Sequence, residues 1–142
     1  MVSCCKPLLS LLFWNQGMFN CYNLKNKKNL GKITFDLDAD LSSLFHYNTK
    51  MLFVSILAEF ENKEYKFNQA CIWDDVIMDV EDSIFKLRKK KAEYMIHDLA
   101  DSLAGSTANL TLQYQIIPWV GMMVTDRIVF PHALTFPSKQ KK

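Results

Sequence analysis

The run Met51–Phe60, MLFVSILAEF, limits what this chain can become more than any other stretch. Leu52, Val54, Ile56, Ala58 and Phe60 make one wholly apolar side, and Met51, Phe53 and Leu57 supply most of the other. That is the pattern of a central strand covered on both sides. Nearby runs support a sheet. Ile33, Phe35, Leu37 and Ala39 alternate with Lys32, Thr34, Asp36 and Asp38, and Leu110, Leu112, Tyr114 and Ile116 alternate with Thr111, Gln113 and Gln115. Both have the period of two of a half-buried strand.

Further strands are expected at Tyr65–Ile72, after a polar connection at Glu61–Glu64, and at Thr125–Phe130, before Pro131. Val76, Met78 and Val80 alternate again. Asp40 is placed to cap a helical turn in which Leu41, Leu44 and Phe45 share a side and plug the end of the core. From Ala92 to Leu103 the apolar spacing is helical, with Gly105 as a natural stop. Tyr22–Asn29 reads as an exposed loop. Many short strands with no alternating helices predict an antiparallel β-sandwich with one or two short helical turns.

A chain of 142 residues, 49% of them hydrophobic, suits one globular unit with its own core. A net charge of only +2 argues against nucleic acid as a partner. The basic clusters Lys25–Lys28, Arg88–Lys91 and the tail lysines 139, 141 and 142 read as solvated surface. Cys4, Cys5, Cys21 and Cys71 lack metal-ligand spacing, and Cys71 reads as a small buried hydrophobe. The apolar segment Pro7–Trp14 is far shorter than the roughly 20 residues of a membrane span.

Chemistry is sparse. His46 falls in the capping turn, His97 at the end of the Ala92–His97 segment and His132 beside Pro131, without a G-x-S-x-G, H-E-x-x-H or phosphate-loop motif. Asp36, Asp38 and Asp40, and the pair Asp74 and Asp75, read as strand-rim carboxylates rather than metal ligands. No catalytic residue, metal site or cofactor is therefore expected. Asn109-Leu110-Thr111 is an N-glycosylation sequon, and Asn109 has the parity of Gln113 and Gln115, which puts it on the water side of its strand. Trp73 reads as a core residue, with an exposed interface role as the alternative.

The ordered series G-K-I-T-F-D-L-D-A-D-L (31–41), L-F-H-Y-N-T-K-M-L-F-V (44–54), A-E-F (58–60) and N-Q-A-C-I-W-D-D-V (68–76) resembles subunit 3 of the eukaryotic signal peptidase complex, its 22/23-kilodalton accessory subunit. Asn109–Leu112, Ile117-Pro118 and Phe130-Pro131 continue the likeness in order. The resemblance implies a glycan on Asn109 and an extended segment at Ala92–His97 in place of the helix. It also implies a β-sandwich over residues 30–137 facing the lumen of the endoplasmic reticulum, with residues 138–142 as a basic tail. Residues 1–29 do not match the family's transmembrane anchor.

By the same resemblance the chain cuts no peptide bond and supports a separate catalytic subunit at the membrane, with the other complex subunits as further partners. Phe53, Trp73, Trp119, Met122 and Met123 are the candidate interface residues. Two other readings stay open from the residues alone: an unrelated soluble β-sandwich that binds a peptide or lipid, and a small hydrolase using one of the three histidines.

Overall fold

The computed structural model describes residues 20–24, 28–61, 64–98 and 105–136. Among the described residues nine strands form, all antiparallel: β1 (Asn20–Leu24), β2 (Lys28–Lys32), β3 (Thr34–Asp40), β4 (Thr49–Phe60), β5 (Asn68–Ile77), β6 (Ile84–Lys91), β7 (Ile96–Asp98), β8 (Thr107–Pro118) and β9 (Val124–Thr135). Short 3-10 turns at Ser42–Leu44 and Val80–Ser83 are the helical pieces among the described residues.

One layer is the four-stranded sheet β5-β4-β8-β9. The other is made by β3 paired with β6 and by β1-β2-β7. These two small sheets follow one another along a single ribbon. β2 and β3 are separated only by Ile33, whose carbonyl accepts from Ala92 N at 2.8 Å, so the pairing of β3 with β6 passes directly into that of β2 with β7. The ribbon is also tied to the edge of the first layer, because Ile72 O accepts from Glu93 N at 3.0 Å and Tyr94 N at 3.2 Å.

Leu52, Val54, Ile56, Ala58 and Phe60 of β4 are buried, and so are Ala108, Leu110, Leu112 and Tyr114 of β8 beside them. Ile33, Phe35, Leu37 and Ala39 close over them from the ribbon. Each large side chain so buried contributes about 1.5–3 kcal/mol. Trp73 joins the layers, with its ring 6.1 Å from that of Phe35 and 6.0 Å from that of Phe85, both edge-to-face. The turn after β3 seals one end as expected, with Leu41 and Leu44 buried. Asp40 acts one residue before the cap: its Oδ1 accepts from Ser42 N at 2.9 Å and Ser42 Oγ at 2.6 Å, which holds its carboxyl below the ordinary aspartate range.

Several local expectations give way. The second side of Met51–Phe60 is not sealed, since Met51, Phe53 and Leu57 are only half-buried. Tyr22–Asn29 is not a loop, because its described residues belong to the antiparallel pair β1 and β2. Ala92–Met95 is neither helix nor strand, and β7 begins only at Ile96; residues 99–104 lie outside the described set. Ile84–Lys91 is a strand that periodicity did not reveal. Within β5 a bulge opposite Ile56 and Leu57 puts both Ile72 and Trp73 inside. It turns Cys71 and Val76 outward, so Cys71 is exposed rather than a buried hydrophobe, and Ile77 takes the inward place.

Candidate functional site

The outer side of the four-stranded sheet is built from alternate residues in register. Ile117 lies beside Met51; Val76, Phe53, Gln115 and Thr125 form the next row, then Asp74, Ser55, Gln113 and Arg127. Below them come Cys71, Leu57, Thr111 and Val129, and finally Gln69, Glu59, Asn109 and Ala133. The face is apolar at the Met51 end and polar at the Asn109 end, with a charged row and then a row holding Leu57 and Val129 between them.

Asn109 is exposed on β8, a strand paired on both sides. A bulky group on its amide would extend into solvent without displacing core. Thr111, two residues on, is 0% exposed, and its hydroxyl has no hydrogen-bond partner. Beside Asn109, Glu59 Oε1 is also shielded, with Arg127 Nη1 at 3.8 Å. Most of that arginine side chain is in solvent, so the ion pair is worth well under about 1 kcal/mol.

The candidate interface residues fall in three places. Phe53 is half-buried on the outer sheet face. Trp73, 3% exposed, is core, which withdraws it from any docking surface. Trp119, Met122 and Met123 stand together on the turn between β8 and β9, at 65%, 89% and 65% exposure. Val120 and Val124 on the same turn, and Tyr47 after the first 3-10 turn, are equally open and were not singled out by sequence. Their signal was available: Ile116–Thr125 contains no charged residue.

This corner is held from below by Asn48. Its carbonyl accepts from Trp119 N at 2.8 Å, its Nδ2 donates to Val120 O at 2.8 Å, and its Oδ1 accepts from Val120 N at 3.2 Å. Lys50 Nζ lies 5.4 Å from the centre of the Trp119 ring.

Several ionisable residues are engaged in local structure. Asp36 Oδ1 accepts from Lys89 N at 2.5 Å, Asp38 meets Arg88 at 3.4 Å, and Asp75 Oδ1 accepts from Val76 N at 2.8 Å. The Cys71 sulfur is directed at Trp73 O, and desolvation there pushes its thiol up, away from the thiolate a nucleophile needs. His46 Nδ1 accepts from Asn48 N at 3.2 Å, and His97 is exposed on β7. The side chain of His132 lies outside the described set. Among the described residues no three His, Cys, Asp or Glu side chains gather as metal ligands, and no helix is long and apolar enough to cross a membrane.

A family described as signal peptidase subunit matches residues 11–139, reaching further toward the N-terminus than the motifs do. "Signal peptidase complex subunit 3" of Saccharomyces cerevisiae is 33% identical over 118 residues, 82% of this chain and 64% of the relative. The protein of that name in Yarrowia lipolytica is 38% identical over 101 residues, 70% of this chain and 54% of the relative. The one in Homo sapiens is 32% identical over 100 residues, again 70% of this chain and 56% of the relative. The chain thus spans between 54% and 64% of the length of these three. With the matched segment taking in every strand from β1 to β9, the chain belongs to the signal peptidase subunit family.

Proposed function

We propose that the chain acts as a non-catalytic accessory subunit of the signal peptidase complex, on the lumenal side of the endoplasmic reticulum membrane. In that role it braces the catalytic subunit while signal peptides are removed from nascent secretory proteins. The observation that carries this reading is the family match running unbroken through the whole sandwich. Among the described residues, Asp36 and Asp75 are tied to backbone N–H groups and desolvation pushes the Cys71 thiol up, which takes these side chains from the set a hydrolase would recruit. Trp73, packed against the rings of Phe35 and Phe85, occupies part of the space between the layers.

Two surfaces acquire roles. Asn109 carries the glycan, at the polar end of the outer sheet face. Phe53, with Val76 opposite it and Met51 and Ile117 in the adjoining row, offers the catalytic subunit an apolar patch at the other end. Residues 30–137 with the β1–β2 pair form the lumenal unit.

Affinity capture of the tagged chain from detergent-solubilised microsomes is the test. The signal peptidase catalytic subunit is expected in the eluate, and glycosidase treatment is expected to sharpen and lower the chain's band in the wild type but not in Asn109→Gln. A chain that captures no catalytic subunit would end the accessory reading.

A further inference from the structure

The turn joining β8 to β9 stands out in solvent. Trp119, Val120, Met122, Met123 and Val124 are exposed on it, and Tyr47, 99% exposed, flanks Asn48, the residue that fixes the turn. Gly121, at φ +113°, makes the bend with open space where a side chain would be. Five apolar side chains on a tip of this kind, held by hydrogen bonds and free of charge, are costly to leave in water.

We propose that this tip, Trp119 to Val124 with Tyr47 and Lys50, rests in the headgroup layer of a phospholipid bilayer. Tryptophan and tyrosine pair an apolar ring with a polar edge, which suits the water–hydrocarbon boundary better than either phase alone. Lys50 supplies charge complementarity: its ammonium lies over the Trp119 ring, at the level where lipid phosphates meet the aromatic belt. A protein partner would call for a broad complementary surface, whereas a narrow protruding tip is what inserts among lipids.

The remainder of the molecule fits that orientation. The acidic turn with Asp79, Glu81 and Asp82 follows β5, at the opposite edge of the sheet from the tip, roughly 10–15 Å away at ordinary strand spacing. Contact is therefore made by the β9 side of that end. Asn109 lies near the far end of β8 from Pro118, roughly 30 Å along the strand, so its polar row points away from the lipid.

This proposal rests on the membrane location given above, and its test is separate from capture of the catalytic subunit. The full chain is floated with phosphatidylcholine vesicles, with and without phosphatidylinositol, beside the triple variant Trp119→Ser/Met122→Ser/Met123→Ser and the control Phe67→Ser, which alters an exposed apolar residue elsewhere. Circular dichroism checks that each is folded. To separate the tip from the apolar segment Pro7–Trp14, emission is read in a Trp14→Phe background with brominated lipid; buried Trp73 then gives a constant signal.

The wild type and Phe67→Ser are expected to float alike and the triple variant to bind at least about tenfold more weakly. Trp119 emission is expected to shift to the blue and be quenched by the brominated chains. Equal flotation of the triple variant, or no quenching of Trp119, overturns the lipid contact. So does a triple variant that binds vesicles normally but no longer captures the catalytic subunit or a second copy of the chain, which would make the tip a protein interface. A chain that captures the catalytic subunit yet ignores vesicles keeps the accessory role and loses only this contact.

Discussion

At the scale of residues, Trp73 ties β5 to the ribbon of the second layer. It is the one ring there that touches aromatic rings of both ribbon strands, Phe35 of β3 and Phe85 of β6. Its replacement by alanine opens a void that two edge-to-face neighbours cannot fill. Trp73→Ala is expected to cost about 3–5 kcal/mol, read as a lower urea midpoint with an unchanged slope. Sequence reasoning reached Trp73 as core but misplaced the residues beside it. Counting by twos through Val76, Met78 and Val80 selects the water side, because the bulge at Ile72 and Trp73 adds one residue and inverts everything after it. Nothing in the identities of Cys71 or Ile72 signals that extra residue. The outward place of Asn109 was legible because β8 keeps step with β4 from Asn109 to Gln115; the irregularity between Asn109 and Thr111 falls on the β9 side, where Ala133 and Val129 are the partners.

At the scale of elements, the contrast between β4 and β6 explains what could be read. β4 lies between two partners and must be apolar on its inner side, so its run announces itself. β6 is an edge strand on which only Phe85 and Leu87 turn toward the core, while Lys86 and Arg88–Lys91 are in solvent. Those lysines blunt an open edge against pairing with other chains, and the same choice hides the strand in a basic cluster. Lys89 adds an irregularity, with φ 49° held by the bond from its N–H to Asp36.

The β8–β9 turn depends on a residue outside it. Asn48→Ala removes two side-chain hydrogen bonds to Val120, each worth about 0.5–1.5 kcal/mol at most. The expected result is local: amide exchange at Val120 quickens about tenfold while the amides of β4 keep their protection, as judged by native-state hydrogen exchange. The apolar character of this turn was visible in the sequence, and three of its residues were named there. Its union with Tyr47, more than seventy positions away, was not visible, because the bond that makes it is tertiary.

At the scale of the whole molecule, the antiparallel sandwich was legible from strand periods alone, and the family from the order of its motifs. The layout of the second layer was not. Its ribbon joins Asp40 to Ile84 at one end and Asn29 to Asp98 at the other. Pairings that distant leave no mark in any local window, since each strand needs only the right alternation to fit several registers.

The central strand shares this dependence: β4 finds β5 through a short connection, but its other neighbour, β8, starts only at Thr107. A ribosome therefore delivers the greasy half of a hairpin well before its lid, and the nascent polypeptide must be kept from clumping for as long as translation takes to reach that point. A version stopped at residue 104 is expected to precipitate or to melt without a cooperative transition in calorimetry, where the complete polypeptide shows one. For this chain the hazard lies less in the finished object than in the seconds of its manufacture.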